Sequence, residues 1–205
     1  MIEEVASKLN FKIEQHKREE SEVLQRALEL AEKAHQGQFR KTKTNNPYHH
    51  DPYIIHPMRV ALVLIDELGI SDTNMIAAAI LHDVVEDSEV TIETIRDSFD
   101  EDVAEIVLTL TKPPHSPSVS RHQQLSAYHE KIFISPERIK LIKLADRLDN
   151  IREAISTTDI AFQKKYLKET REIYLPLAAL TNSFFHTEIS AYCDRLEEAL
   201  REYAN

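Results

Sequence analysis

Four polar residues, His82, Asp83, Glu86 and Asp87, follow directly after an apolar run in this sequence. If the helix predicted for that run continues, positions 82, 83 and 86 lie on one side of it, and Asp87 lies one turn beyond Asp83. Histidine and aspartate are costly to bury unless they are paired or bound to a ligand. A His-Asp pair at a helix end is often only a hydrogen-bonded couple, but four such groups together favour a reactive site.

A divalent metal ion needs more ligands than one neighbouring pair supplies, and two further residues could provide them. His56 follows a loop and opens a helix, so its imidazole can point into a cleft. Asp146 lies within an otherwise apolar helix, where pairing with Lys143 or Arg147 is the alternative to metal binding. Mixed nitrogen and oxygen ligation suits manganese, iron or zinc better than magnesium alone. The four candidate ligands are His56, His82, Asp83 and Asp146.

The elements that must position these residues are predicted to be helices. Ser21 is a suitable N-cap for a helix with an apolar stripe, which ends near Gly37. His56-Pro57 opens a helix that Gly69 ends, because proline suits the first helical position and glycine the C-terminal cap. Ser71 or Asp72 then caps residues 75–81, which are apolar on every side and therefore predict a buried central helix.

The rest of the chain also shows helical spacing of its apolar residues. The loops are predicted at residues 41–55 and 111–120, where prolines interrupt the pattern. We therefore expect one all-α domain over residues 1–205, a bundle of eight to ten helices with its motifs between about 20 and 180. The remaining helices are predicted near residues 92–99, 103–110, 121–133 and 138–155, followed by two over 160–203, with Pro176 starting or kinking the second.

Composition excludes several classes of protein. The two glycines, Gly37 and Gly69, form neither a dinucleotide fingerprint nor a P-loop. The net charge of −10 argues against a nucleic-acid or membrane partner and leaves room for a small anionic ligand in a local basic pocket. The single cysteine, Cys193, excludes disulfides within the chain. With no signal peptide and no apolar run of about 20 residues, a cytoplasmic protein is expected, and a homo-oligomer is compatible with the sequence.

An ordered series of motifs resembles the HD-type hydrolase domain of the RelA/SpoT family. The bare His-Asp dipeptide is weak evidence, whereas the ordered set covers most of the chain. Because no synthetase or regulatory domain follows in this sequence, the resemblance is greatest to stand-alone small alarmone hydrolases of the metazoan SpoT homologue type. The motifs are AHQGQFRK (34–41), PYIIHP (52–57), LHDVVEDS (81–88), LTK (110–112), KLADRLDNIR (143–152) and EIYLPLA (172–178).

The resemblance implies an all-α HD fold that hydrolyses guanosine tetra- and pentaphosphate at the 3′ position with one Mn²⁺ ion, releasing pyrophosphate. His56, His82, Asp83 and Asp146 would then be the metal ligands. Glu86 and Asp87 match the acidic pair that activates or positions the attacking water. The residues that match the nucleotide pocket are Arg40, Lys41, Asn150 and Tyr174.

This sequence departs from the family pattern in two places that concern nucleotide choice. Residues 42–51 lengthen the loop between Arg-Lys and Pro-Tyr, and they include His49 and His50, which in a row more often face solvent than bind metal. Asp149 replaces a histidine or tyrosine, where it is expected to repel a phosphate or to recognise a base amino group.

Two alternatives to the guanosine hydrolase therefore stay open. One is a hydrolase of an adenosine alarmone or of the 2′-phosphate of NADPH. The other is a non-catalytic nucleotide sensor, which the intact ligand set and acidic pair disfavour.

Overall fold

The computed structural model describes residues 2–40 and 51–202 and confirms an all-α fold. An isolated β-bridge between Phe39 and Pro52 is the only β pairing among these residues. It holds residues 38–40 beside 51–53, with the Arg40 amide donating to the Asp51 carbonyl at 2.9 Å. The two ends of the lengthened loop are thereby fixed next to each other.

The described residues contain twelve α-helical segments, and two of these are extended by π-helical turns. The segment α10 runs without interruption through its π-turn into α11, and α5 is a single turn, so ten helices are longer than one turn in the described residues. Their bounds are α1 Ile2–Ile13, α2 Arg18–Ala34, α3 Ile55–Leu62 with the π-turn Val63–Glu67, α4 Thr73–Leu81, α5 Val84–Asp87, α6 Ile92–Ser98, α7 Glu101–Leu110, α8 Arg121–Ile134, α9 Glu137–Ala154, α10 Ile160–Glu169 with the π-turn Thr170–Tyr174, α11 Leu175–Thr181 and α12 Ser183–Glu202.

The helix α4 is the centre of the core, as its all-round apolar sequence predicts. Every residue from Met75 to Leu81 is buried, and α4 packs against α2, α3, α7 and α9. Asp72 is the N-cap, because its side chain accepts a hydrogen bond from the Met75 amide. Of the two caps considered, Asp72 is therefore the correct one.

Both glycines end helices, as predicted, and both have the positive φ that favours glycine. Gly37 has φ +77° and lies after α2, and Gly69 has φ +68° after the π-turn that extends α3. The prediction of Ser21 as an N-cap is wrong, since α2 already begins at Arg18 and its N-cap is Lys17. The Glu20 carboxylate accepts from the Lys17 amide, and this contact closes a first turn that begins four residues earlier than predicted.

The C-terminal region differs from the two helices expected there. Pro176 lies in the first turn of α11, directly after the π-turn Thr170–Tyr174, and so stands at the start of that segment as predicted. A further break occurs at Asn182, whose backbone is extended and whose side chain accepts from the Phe184 amide. Cys193 is buried in α12, as expected of a small apolar side chain. Within the described residues, no helix is long and apolar enough to cross a membrane.

We expect Ile80→Ala to lower the free energy of unfolding by about 2–5 kcal/mol, because the side chain is fully buried in α4 and its loss leaves a cavity. The matched control is Ile134→Ala, at a residue that is 86% exposed, where we expect a change within about 0.5 kcal/mol. Urea unfolding followed by circular dichroism measures both. Equal effects of the two changes would contradict the central position of α4.

Candidate active site

The polar residues that follow α4 lie on a break between two helices. The prediction of one continuous helix through residue 87 is wrong, because α4 ends at Leu81 and α5 begins at Val84. The His82 ring closes α4 by placing Nδ1 2.8 Å from the Ala79 carbonyl. The break keeps His82 and Asp83 against the core and directs Glu86 and Asp87 outward.

The four candidate ligands come from three separate places in the chain and meet at one point. His56 Nε2 lies 3.2 Å from Asp146 Oδ1 and 3.6 Å from Asp83 Oδ2. His82 Nε2 lies 3.2 Å from Asp83 Oδ2 and 3.9 Å from Asp146 Oδ1. Packing of α3, α4 and α9 therefore places two imidazole nitrogens around two carboxylate oxygens, with all four residues buried.

The chemistry of this donor set fits a divalent cation. The Ala79 carbonyl can only accept, so His82 Nδ1 donates to it and Nε2 is the nitrogen left to face a cation. That Nε2 atom is buried and has no hydrogen-bond partner among the described residues. Together with His56 and Asp83 it forms a group of ligand atoms within 4.8 Å of one another. A buried polar atom left without a partner is costly, and a cation is the partner that this geometry accommodates.

The electrostatics keep both carboxylates ionised. Burial acts to raise the pKa of Asp83, but the neighbouring His82 and His56 outweigh it and lower that pKa. Burial acts in the same way on Asp146, where Lys143 and the histidines hold the pKa well below its usual range. Lys143 Nζ lies 2.6 Å from Asp146 Oδ2, so the alternative pairing considered for Asp146 does form, and it leaves Oδ1 facing the two histidines.

The acidic pair lies at the edge of a cavity of about 890 Å³, whose inner end holds Asp83 and Asp146. Glu86 accepts from both the backbone amide and the Nζ of Lys112, at 3.2 and 3.1 Å. Partial burial and the negative charges of Asp83 and Glu86 raise the pKa of Asp87, which makes its carboxylate a better proton acceptor. Both acids therefore line the cavity beside the candidate ligands.

Two of the predicted nucleotide-pocket residues bind each other. Arg40 Nη2 donates to Asn150 Oδ1 at 2.6 Å, and the same guanidinium pairs with Glu153 at 2.7 Å. Asn150 Nδ2 in turn donates to Asp146 Oδ1, which joins the pocket to the candidate metal ligands. Lys41, like His49 and His50, lies outside the described residues.

Tyr174 lines the same cavity and packs against Arg147, a residue that the sequence did not single out as part of the nucleotide pocket. The Arg147 guanidinium carbon lies 3.8 Å from the Tyr174 ring centroid and 4.0 Å from that of Tyr166. Glu169 pairs with its Nη2, whereas Nη1 is buried without a partner in the described part of the chain. The spacing around Lys143 and Arg147 predicts only a helix. Their positive charge within an otherwise apolar helix is the feature that could have marked them as functional residues.

The expectation that Asp149 faces the nucleotide is wrong. Asp149 is buried, does not line the cavity, and accepts hydrogen bonds from His56 and Arg59. Residue 149 lies three positions after Asp146 on α9, and the local packing turns its side chain toward α3 instead of the cavity. His35, which follows α2, is buried and hydrogen-bonded, with its Nδ1 2.9 Å from Gln38 Oε1.

Comparison with known proteins agrees with this geometry. Residues 27–181 match the HD domain family, which is more than half of the chain and includes all four candidate ligands. The chain belongs to the HD domain family. This HD domain is similar over 179 residues, at 41% identity, to a protein of Aquifex aeolicus named guanosine-3′,5′-bis(diphosphate) 3′-pyrophosphohydrolase. The match covers 86% of this chain but only 23% of that relative, so the chain spans less than a quarter of its length.

Shorter relatives match along most of their length. The HD domain is 37% identical over 147 residues to the guanosine-3′,5′-bis(diphosphate) 3′-pyrophosphohydrolase MESH1 of Xenopus tropicalis, covering 72% of this chain and 77% of that one. The solved structure of a metazoan ortholog of SpoT that hydrolyzes ppGpp superposes with a TM-score of 0.70 at 28% identity, covering 88% and 95% of the two chains. The resemblance to RelA/SpoT-type HD hydrolases is confirmed.

We expect Asp83→Ala to abolish Mn²⁺ binding, because it removes one of two carboxylates facing the histidines. Binding is measured by electron paramagnetic resonance of free Mn²⁺ during titration. The matched control is Asp97→Ala, an exposed aspartate on α6, which should bind as the wild type does. Unchanged Mn²⁺ binding by a folded Asp83→Ala protein would show that the four residues are not the metal site.

Proposed function

We propose that this protein is a Mn²⁺-dependent hydrolase that removes pyrophosphate from the 3′ position of ppGpp and pppGpp. The observation that carries the proposal is the convergence of His56, His82, Asp83 and Asp146. The two carboxylates of this group line a cavity that also holds the buried cations Lys143 and Arg147. The names of the relatives indicate the substrate, and the cations in the cavity are groups that could contact its phosphates. We further propose that residues 1–205 form a single HD hydrolase domain, since α1 and α12 contribute side chains to the one core.

The cavity is lined by four basic residues that could contact the phosphates, although the seven acidic residues beside them leave its lining negative overall, like the whole chain. Lys112, Lys143 and Arg147 all line it. Burial acts to lower the pKa of Lys143, but Asp146 and the neighbouring tyrosines raise it, so the ammonium stays charged. Arg147 is held between two tyrosine rings with one Nη atom unpartnered within the described chain, and that atom can donate to a phosphoryl oxygen.

In the proposed reaction, water attacks the phosphorus that is bonded to the ribose 3′ oxygen. An oxygen–phosphorus bond forms, the bond from phosphorus to the 3′ oxygen breaks, and pyrophosphate leaves GDP or GTP behind. When bound, a divalent cation supplies positive charge for the phosphoryl oxygens and lowers the pKa of water. Glu86 or Asp87 takes the proton from the attacking water, and the 3′ oxygen is protonated as it leaves. Lys143 and Arg147 offset the charge on the phosphoryl oxygens.

Arg40, Asn150 and Tyr174 are proposed to hold the nucleoside end. Arg40 lies over Tyr53, with 5.3 Å between the guanidinium carbon and the ring centroid, so its other face can stack on a purine. Tyr53 itself donates to Asp83 Oδ2 at 2.6 Å and so links this end to the candidate ligands. With Asp149 buried beside His56, that residue no longer favours an adenosine substrate or NADPH, and we retain the guanosine nucleotide.

The function is tested by incubating the purified protein with Mn²⁺ and a panel of ppGpp, pppGpp, ppApp and NADPH, with identification of the products. We expect pyrophosphate with GDP from ppGpp, and GTP from pppGpp. Parallel reactions with Zn²⁺, Fe²⁺ and Mg²⁺ test the choice of manganese. Hydrolysis of another nucleotide without release of pyrophosphate from ppGpp would contradict the substrate. Nucleotide binding without hydrolysis under every metal would identify a sensor.

We expect Glu86→Gln to lower the turnover number by about 10²–10⁴-fold while Mn²⁺ stays bound, because the amide cannot accept the proton. Release of pyrophosphate under saturating Mn²⁺ measures the first effect, and the metal titration measures the second. Glu93→Gln, at an exposed glutamate on α6, is the matched control and should retain wild-type turnover. Loss of Mn²⁺ from the Glu86→Gln protein would instead make Glu86 a ligand.

A further inference from the structure

A line of alternating charges connects the nucleotide end of the cavity to the candidate ligand His56. Arg40 and Arg59 both donate to Glu153 Oε2, Arg40 at 2.7 Å and Arg59 at 3.1 Å. Arg59 also donates to both oxygens of Asp149, with Nε 2.7 Å from Oδ1 and Nη2 3.1 Å from Oδ2. Asp149 Oδ2 then lies 2.7 Å from His56 Nδ1. Asp149 and His56 are both buried, so this last contact is shielded from water.

We propose that Asp149 is the positioning residue for His56, holding its ring so that Nε2 faces Asp83 and Asp146. This inference rests on the proposed metal-dependent function. An ionised carboxylate has only acceptor atoms, so its partner Nδ1 must carry a proton. The nitrogen left to bind a cation is then Nε2, which lies 3.2 Å from Asp146 Oδ1 and 3.6 Å from Asp83 Oδ2. A carboxylate on the far nitrogen of a ligating histidine fixes the ring and raises its basicity.

Arg59 completes the arrangement by holding Asp149 in place. Its guanidinium makes a two-point contact, which fixes the plane of the carboxylate as well as its charge. Because each Asp149 oxygen accepts from the Arg59 guanidinium, both are present as acceptors, as in a carboxylate. Asp149 lies near the cavity along the chain but makes its contacts away from it, which separates a role in positioning His56 from a role in binding nucleotide.

The two candidate histidines are therefore oriented by different means. His82 places Nδ1 on a backbone carbonyl of its own helix, and this contact depends little on side-chain identity elsewhere. His56 depends on a side chain from another helix, α9. Substitution of Asp149 should thus release one of the four ligands and leave the other three in place.

The test is the substitution Asp149→Asn, which keeps the size of the side chain but leaves one acceptor oxygen where His56 and Arg59 need two. We expect the Kd for Mn²⁺ to rise about 10- to 100-fold, measured by electron paramagnetic resonance of free Mn²⁺. Once Mn²⁺ saturates both proteins, the KM for ppGpp should stay within about twofold of the wild type. An unchanged Kd for Mn²⁺ would overturn the proposal. A KM for ppGpp that rises by a larger factor than the Kd for Mn²⁺ would also overturn it, because that result would place Asp149 in nucleotide binding.

The matched control is Glu67→Gln. Glu67 also accepts a two-point contact from an arginine, with Arg152 Nη1 and Nη2 at 2.7 and 2.8 Å, and this pair likewise joins the segment after α3 to α9. It does not contact a candidate ligand, so its Kd for Mn²⁺ should match that of the wild type. An equal loss of Mn²⁺ affinity in both variants would assign the effect to the packing of α3 on α9 and overturn the positioning role.

Two further measurements keep the test decisive. Nitrogen-15 spectra of the Zn²⁺-loaded wild type, with Zn²⁺ as a diamagnetic probe, should show the His56 proton on Nδ1, and a proton on Nε2 would overturn the proposal. If Asp149→Asn does not fold, Arg59→Gln removes the partly exposed partner, and we expect a several-fold weaker affinity for Mn²⁺, with no change being the contrary result. A wild-type protein that binds Mn²⁺ but hydrolyses none of the nucleotide panel would contradict the proposed function and leave this inference standing.

Discussion

The pairing of the buried Asp146 carboxylate with Lys143 and the two histidines is the interaction on which the rest of the site depends. One oxygen is fixed by Lys143, and the other faces His56 and His82 at 3.2 and 3.9 Å. A buried carboxylate is tolerated only when its charge is paired, and removing one partner of a buried pair typically costs about 3–5 kcal/mol. Asp146 therefore requires α9 to run beside α3 and α4, and that packing assembles the candidate ligands.

The same requirement explains how an acidic protein can be expected to receive a polyphosphate. The cavity lining is itself acidic, with seven carboxylates against four cations, so the phosphates would depend on a bound divalent cation and on the placement of Lys112, Lys143 and Arg147. Aromatic faces hold two of these cations away from bulk water, since Tyr128 lies beneath Lys143 and two tyrosines enclose Arg147. Cations positioned in this way lose little entropy when a phosphate arrives, and their charge acts in a medium of low polarity.

Acids and bases in the site alternate, so that no charged group is left uncompensated along the line from Arg40 to His56. Glu153 and Asp149 each bridge two basic groups, and both lie on α9 one turn apart. The helix α9 thus presents Asp146 and Asn150 toward the cavity and Asp149 toward α3. One helix carries a candidate metal ligand, a candidate nucleotide contact and the proposed positioning residue on adjacent faces because its side chains diverge by about 100° per residue.

The sequence by itself determined the fold class and the four candidate ligands. Apolar spacing, the Asp72 cap and the two helix-ending glycines are local properties of the chain, and local rules specify helices because helical hydrogen bonds join residues four apart. The polar residues next to the apolar run of α4 indicated a site, because burying such residues without a partner costs free energy. Boundaries were less certain: the early start of α2 and the breaks after Leu81 and at Asn182 depend on single hydrogen bonds.

Only the tertiary structure decided which side chains face one another across helices. Spacing placed Asp149 one residue from Asn150 and suggested a common role, whereas packing of α9 on α3 directs Asp149 to His56 and leaves Asn150 beside Arg40. The insertion of Arg147 between Tyr166 and Tyr174 joins residues from separate helices, and no local pattern encodes it. The orientation of a helix about its axis is set by the whole buried surface, and so the partner of each polar side chain is a property of the assembled core.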